Sequence, residues 1–233
     1  MSIYLYGAGG HSKVIRDILQ VLGIKLLGIF DDDPSSENLK GSAICSGKLV
    51  LDAPLIISIG DNDIRAKIAS RLSNVTYGKA IHSSAIISPT ASIDEGSVVM
   101  QGAIVQASAK VGKHAVINTA SSIDHDCVIG DFAHISPHVA LCGNVHVGEG
   151  TLIGVGARIV PSIKIGCWCR IGAGAVVIRD VPDYATVVGI PARVIKIKNE
   201  LLDPIELIGS DESLTAQIFK KRLEKYLRIG HLI

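Results

Sequence analysis

Residues 111–153 read VGKHAVINTASSIDHDCVIGDFAHISPHVALCGNVHVGEGTLI, and a branched aliphatic returns at every sixth place: Val111, Ile117, Ile123, Ile129, Ile135, Leu141, Val147 and Ile153. The rhythm runs on in both directions, back through Val105, Val99 and Ile93 to Ile87 and forward through Ile159, Ile165 and Ile171 to Val177. All sixteen positions are filled, which a hydrophobic content of 48% does not produce by itself. A second register accompanies the first. Two residues before most of these aliphatics stands a small side chain, as at Ala85, Ala91, Ser97, Ala103, Ala109, Ala115, Ser121, Cys127, Ala133, Thr151, Ala157, Cys169 and Ala175. Gly often follows the aliphatic, as at Gly112, Gly130, Gly148, Gly154, Gly166 and Gly172.

A period of six puts no single face on a helix, whose repeat is about 3.6 residues. It fits short strands separated by tight turns, where residues two apart share a face and both point inward. Gly, Asn or Asp at the corners would tolerate the backbone angles of the turns. Three hexads close a triangular coil, and stacked coils bury one another's aliphatic columns. Repeats of this kind identify a left-handed parallel β-helix, here of about five coils over the sixteen hexads. An aromatic content of only 4% agrees with such thin, repetitive packing.

Outward from the repeat, residues 1–80 have another character. Ile3 to Tyr6 reads as a strand that ends in Gly7-Ala8-Gly9-Gly10, and a helix pattern follows from Ser12 to Leu22. Leu26 to Phe30 is a second strand closing on Asp31-Asp32-Asp33-Pro34; Leu55 to Ile59 is a third, ending in Gly60-Asp61-Asn62, with a helix from Asp63 to Leu72. Alternating strands and helices predict a small Rossmann-like α/β unit on a parallel sheet. Glycines between strand and helix either hold a phosphate on backbone N–H groups or simply form a tight βα turn. Acidic residues 20–25 positions on are where such folds meet a ribose, although the third glycine of the dinucleotide fingerprint is missing. Beyond Pro182, residues 196–233 form a C-terminal extension. Its segment Ser213 to Arg228 is amphipathic, started by Asp211 or Ser213 as cap, and packs on the body, on a neighbouring subunit or on a partner. The expected domains are therefore 1–80, 81–195 and 196–233.

A net charge of +1 gives no field to recruit nucleic acid or an anionic membrane. Five cysteines, Cys45, Cys127, Cys142, Cys167 and Cys169, form no disulfide framework and imply a reducing compartment. The start lacks a signal peptide and no stretch is long enough to span a membrane, so a cytoplasmic location is expected.

Candidate reactive groups are His114, His125, His134, His138 and His146. His125 and Asp126 are adjacent just after Ile123, at a coil corner, where the carboxylate orients the imidazole as a base. One coil is eighteen residues, so position 143 stacks on position 125, about 4.8 Å along the axis. Position 143 is Gly143, whose bare N–H suits an oxygen that gains negative charge. His134 and His138 fall at unlike hexad positions and Cys167-Trp168-Cys169 is no metal motif, so no metal is expected.

Gly7-Ala8-Gly9-Gly10-His11-Ser12-Lys13-Val14, then Phe30-Asp31-Asp32-Asp33 and Ile59-Gly60-Asp61-Asn62, with Ile64 and Arg65, resemble the sugar O-/N-acyltransferase family. Asn118-Thr119, His125-Asp126-Cys127-Val128-Ile129-Gly130, Gly143-Asn144-Val145 and Gly189-Ile190-Pro191-Ala192 are similar to it as well, so the resemblance covers residues 1 to about 195. The resemblance implies an acetyl-CoA-dependent N-acetyltransferase of a nucleotide-linked 4-amino-4,6-dideoxy sugar, UDP-linked and bacillosamine-type. The alternative it leaves open is an O-acetyltransferase acting on sialic acid or a related hydroxyl. It implies a homotrimer with the active site between subunits, His125 as base assisted by Asp126, and Gly143 as amide donor to the thioester carbonyl. Asn118 and His134 would line the same pocket. Gly9, Gly10, His11, Asp31, Asp32 and Asp33 would hold the nucleotide, with Gly60, Asn62 and Arg65 close by. Gly154, Ala173, Gly174, Ile190 and Pro191, with Gly143, would cradle coenzyme A.

Overall fold

The computed structural model describes residues 1–32, 39–40, 51–72 and 74–198, and Met1–Lys198 form one compact unit. Asp33, Cys45 and the amphipathic segment from Ser213 to Arg228 lie outside the described residues.

The chain opens with β1 (Ser2–Tyr6), α1 (Gly10–Val21), β2 (Lys25–Asp31), β3 (Leu39–Lys40), β4 (Leu55–Ile57) and α2 (Asn62–Arg71). The four strands form a parallel sheet in the order β3-β2-β1-β4. Both helices start earlier than the apolar pattern suggests, and hydrogen bonds to the residue before each helix hold its first turn. The Gly9 carbonyl accepts the Ser12 N–H at 3.1 Å and its hydroxyl at 2.6 Å. Asp61 Oδ1 accepts the Ile64 N–H at 2.9 Å. Gly7 is obligatory: its φ is +106°, and a Cβ there would lie 2.6 Å from Ile59 Cγ1.

From β5 (Ala80–Ile81) to β21 (Val176–Val177) every strand is two residues long and pairs in parallel with strands eighteen residues away, as Val116 does with Val98 and His134. Three sheets result. The first face carries Val98–Val99, Val116–Ile117, His134–Ile135, Leu152–Ile153 and Arg170–Ile171; the second carries Ile104–Val105, Ser122–Ile123, Ala140–Leu141 and Arg158–Ile159; the third carries Lys110–Val111, Val128–Ile129, His146–Val147 and Lys164–Ile165. The aliphatic column and its small companions fill the prism, with Ala103, Ala115, Ile117, Ile123, Ile135 and Ile153 all fully buried. This is the left-handed parallel β-helix preceded by an α/β unit.

The solenoid has about six turns rather than five. Ala80–Ile81 adds a rung before the counted repeat, and β22 (Ala185–Gly189) adds one after it. That last turn is two residues short: Ile171 pairs with Val187, so 187 − 171 = 16. A side chain replaces the missing backbone where Asp180 Oδ1 accepts the Lys164 N–H at 2.8 Å, while Asp183 Oδ1 accepts the Cys167 N–H at 2.9 Å as Asp131 Oδ1 accepts the Lys113 N–H in a full turn. An antiparallel strand, β23 (Ala192–Ile197), finishes the sheet of the first face.

The glycines after the aliphatics do not serve the turn angles. Positive φ falls two places later, at residues as large as Phe132 (57°) and Trp168 (55°). The glycines instead let successive coils touch. A Cβ on Gly148 would lie 2.5 Å from the Gly166 carbonyl carbon, and one on Gly130 would lie 2.6 Å from the Glu149 nitrogen. Gly148→Ala is therefore expected to destabilise the protein by about 1–3 kcal/mol through overpacking. The lowered thermal midpoint in differential scanning calorimetry checks this; an unchanged midpoint contradicts the close-approach reading.

The α/β unit sits on the first face. Ile3, Leu5, Ile15, Ile18, Leu19 and Ile56 share one cluster with Ala80, Val98, Met100 and Val116. This explains why the outward positions of the early rungs are apolar there: burying them removes several kcal/mol of hydration cost, at about 25 cal/mol per Å². No helix among the described residues is long and apolar enough to cross a membrane.

Candidate active site

The corner between the second and third faces carries Asp124, His125, Asp126 and Cys127. Asp126 adopts φ 60°, and this turn brings its carboxylate back to the ring beside it. His125 Nδ1 lies 2.8 Å from Asp126 Oδ2, so Nδ1 holds the proton and Nε2 presents its lone pair. Asp124 Oδ1 accepts the His125 backbone N–H at 2.8 Å. One coil on, the Asn144 N–H donates to the His125 carbonyl at 2.9 Å, which locks the two corners in register. The imidazole lies directly across Gly143: a Cβ there would be 2.6 Å from both Cε1 and Nε2. Among the described residues the Gly143 N–H has no protein acceptor. His125 and Asp126 are open to solvent, at 60% and 59% side-chain exposure, so a substrate can reach them. The imidazole pKa is raised, first by the Asp126 hydrogen bond and then by the Asp124 charge. Asp124 is a contributor that sequence reasoning missed; an acid on each side of His125 was the available signal.

A second group gathers where the α/β unit meets the first face. Asn118 Oδ1 accepts the Thr119 N–H at 2.8 Å, which turns its amide nitrogen toward His134 Nε2 at 3.0 Å. His134 Nδ1 faces the Gly60 carbonyl at 3.4 Å, and the His11 ring centroid lies 6.4 Å away. His134 is pushed down to about 4 by burial, then by Arg65 and His11, and His11 is pushed down to about 4 by burial and Arg65. Both rings are neutral near pH 7.

Arg65 departs from the expected contact with substrate. It is 1% exposed, and each of its five N–H groups meets a protein oxygen: His114 O at 2.8 Å, Ile59 O at 2.9 Å, Gly60 O at 3.2 Å, Asn62 Oδ1 at 2.8 Å and Phe132 O at 2.7 Å. No donor is left for a ligand. Asn62 is similarly tied, donating to the Gly150 carbonyl at 3.0 Å.

At the start of α1, a Cβ on Gly9 or Gly10 would meet nothing within 4 Å, so these glycines border open space. The helix has no side-chain cap, so no side chain satisfies its first N–H groups. Asp31 Oδ2 braces this loop by accepting the Ala8 N–H at 2.6 Å. Asp32 accepts the Tyr6 hydroxyl at 2.7 Å and lies 3.8 Å from Arg71. Sequence reasoning also missed Ser58, buried beneath the loop with its hydroxyl donating to the Gly7 carbonyl at 2.6 Å.

Within one chain these groups occupy different edges. His125 and Gly143 stand at the corner between the second and third faces. Asn118 stands at the corner between the first and second, and Gly154, Ala173 and Gly174 follow it up that same edge. Ile190 and Pro191 form the turn between β22 and β23, beside the upper coils, with Ile190 76% exposed. Inside a single chain Asn118 and His134 therefore stand apart from His125, with the second face between them. Of the remaining histidines, His114 is buried between Tyr77 (4.3 Å, edge-on) and Phe132 (5.1 Å, stacked) and pushed down to about 4 by burial. His138 turns the edge that carries Asn118, and His146 lies on the third face. Cys127, Cys142, Cys167 and Cys169 are free thiols. Among the described residues no group of three or more His, Cys, Asp or Glu is arranged for a metal ion.

Residues 2–72 match the PglD N-terminal domain. A stretch of 103 residues, 40% of this chain and 48% of the relative, is 39% identical to the UDP-N-acetylbacillosamine N-acetyltransferase of Bacillus subtilis. Another of 97 residues is 36% identical to protein L142 of Acanthamoeba polyphaga mimivirus, covering 39% of this chain and 19% of that one. The chain thus spans about half or less of the curated relatives it matches. Solved structures align over far more. A variant of the perosamine N-acetyltransferase of Caulobacter crescentus, in complex with CoA and GDP-perosamine, superposes with a TM-score of 0.78 at 35% identity, covering 84% of this chain and 97% of that one. The acetyltransferase domain of PglB from Neisseria gonorrhoeae, in complex with acetyl coenzyme A, superposes at 0.75 with 35% identity, covering 83% and 98%. With 35% identity over more than four fifths of this chain and nearly the whole of those structures, and with the PglD N-terminal domain matched, the chain belongs to the left-handed β-helix sugar acyltransferases.

Proposed function

We propose that the protein transfers the acetyl group of acetyl-CoA to the amino group of a nucleotide-linked 4-amino-4,6-dideoxy sugar, in its UDP-linked form. The observation that carries this reading is the His125–Asp126 pair with Nε2 laid across the bare amide of Gly143. The amine nitrogen attacks the thioester carbonyl carbon, a C–N bond forms and the C–S bond breaks. His125 Nε2 takes the amine proton and passes it to the departing thiolate, while Asp126 steadies the imidazolium. The Gly143 N–H donates to the carbonyl oxygen as it gains charge. Holding both substrates in one cleft supplies proximity.

The remaining residues are divided between two edges, which supports a homotrimer: the edge with Asn118, Gly154, Ala173 and Gly174 from one copy meets the edge with His125 and Gly143 from the next. Ile190 and Pro191 extend the coenzyme cradle. Gly9, Gly10 and His11 hold the nucleotide, with Asp31 and Asp32 shaping their loop and Asp33 continuing it. Gly60 and Asn62 border the acceptor. UDP as carrier rests on the Bacillus relative; the Caulobacter structure holds GDP-perosamine.

The test is thiol release from acetyl-CoA with a panel of UDP-, GDP- and dTDP-linked 4-amino sugars and free sialic acid. Turnover is expected with the amino sugars and highest with a UDP carrier. Turnover confined to sialic acid overturns the N-acetyl reading, and preference for GDP or dTDP overturns the carrier.

A further inference from the structure

At the third corner, between the third and first faces, the carbonyls of His114, Phe132 and Gly150 recur eighteen residues apart, since 132 − 114 and 150 − 132 are both 18. The coil ladder leaves all three unused. The N–H groups of these residues donate to Glu95, Lys113 and Asp131, but no neighbouring coil donates back to their carbonyls. A column of bare acceptors results, one coil apart, and burying such a column unpaired would be costly. The first turn of α2 satisfies it. Arg65 Nε takes His114 O at 2.8 Å, Arg65 Nη2 takes Phe132 O at 2.7 Å, and Asn62 Nδ2 takes Gly150 O at 3.0 Å.

The other side of the same guanidinium grips the loop after β4. Its Nη1 donates to Ile59 O at 2.9 Å and Gly60 O at 3.2 Å. Gly60 O is also the acceptor facing His134 Nδ1 at 3.4 Å. The Thr119 N–H orients the Asn118 amide so that its nitrogen faces His134 Nε2, and this contact together with the Gly60 carbonyl places the ring proton on Nδ1.

We propose that Arg65 is a positioning residue of the acyl-acceptor site: it fixes the Gly60 carbonyl over the solenoid, and that carbonyl holds His134 in a single neutral Nδ1–H tautomer. A lysine keeps the charge, yet its one ammonium cannot reach five oxygens spread over two coils, a loop and the first turn of α2. The charged and titratable groups facing His134 are Arg65 and His11, and both disfavour a second proton there; the Gly60 carbonyl opposes them, yet the ring stays neutral and keeps its one proton toward that carbonyl. The kinetic part rests on the acetyl-transfer reading above; the tautomer does not.

The experiment uses the full chain. Nitrogen–proton correlation NMR of the histidine side chains is expected to show wild-type His134 as the Nδ1–H form at pH 7. In Arg65→Lys that form is expected to give way to mixed tautomers. The KM for the nucleotide amino sugar should rise roughly ten- to a hundredfold, with the KM for acetyl-CoA unchanged. Val98→Ala weakens the docking of the α/β unit through apolar packing alone; it should lower the thermal midpoint while leaving tautomer and KM as in wild type. Retention of the Nδ1–H form and of the sugar KM in Arg65→Lys overturns the proposal. So does a wild-type His134 that is Nε2–H or protonated at pH 7, which needs no variant to fold. If wild type transfers no acetyl group to any amino sugar, the functional reading falls and the tautomer comparison still decides the role of Arg65.

Discussion

His125→Ala is expected to lower kcat by roughly 10²–10⁴-fold, the usual contribution of a positioned general base, while the solenoid stays folded. The side chain is 60% exposed on a corner and fills no part of the aliphatic column. Thiol release gives the rate, and circular dichroism with a melting curve gives the fold. The pH dependence carries the assignment further. The base works only when neutral, and its pKa is raised above the ordinary 6.5 by the Asp126 hydrogen bond and then by the Asp124 charge. A raised pKa means that kcat/KM falls on acidification from a higher pH than an isolated histidine would give. Asp126→Asn removes the larger cause, so the acidic limb should move to lower pH while the limiting rate drops. A limb that stays put in Asp126→Asn, or near wild-type turnover in His125→Ala, removes His125 from the mechanism.

Gly143→Ala should be nearly as damaging and for a different reason. Gly143 is outside the left-handed region, unlike Asn144 at φ 58°, so alanine fits its backbone. The added Cβ, however, would sit 2.6 Å from His125 Cε1 and Nε2. Because that ring is exposed and rotatable, it can swing aside at little cost in stability. What is lost is the alignment of Nε2 with the Gly143 N–H, and such misplacement costs on the order of 10²-fold in rate. The expected signature is a depressed kcat with a thermal midpoint close to wild type, opposite to the signature of Gly148→Ala. Wild-type kcat in the alanine variant would show that the chemistry does not use this juxtaposition.

The juxtaposition itself was legible in the sequence, because an unbroken hexad rhythm makes coil-to-coil neighbours a matter of adding eighteen. The same rhythm identified the inward columns, and the flanking glycines and acids marked the α/β unit. What the period does not contain is any relation between the solenoid and the unit packed on it. Arg65 therefore read as a substrate contact, although its donors all face protein oxygens. His114 read as one reactive candidate among several, although Tyr77 from outside the repeat closes over it. The glycines after the aliphatics were misread for a related reason. Composition suggests a turn angle, whereas the need comes from the next coil's backbone arriving within van der Waals reach. Edges posed the last difficulty: Asn118 and His125 are seven residues apart in sequence, yet one strand of the second face separates them around the prism.

The strict ladder also constrains how such a chain can lengthen or shrink. Above Gly154, inserting or deleting one complete winding returns every later side chain to its own wall. A change of six residues instead carries all of them to the neighbouring wall. Between His114 and Gly150 even whole windings are excluded, because one guanidinium and one carboxamide clasp three consecutive storeys there. Variation in height is thus confined to the upper storeys, and the lower ones keep a fixed stature.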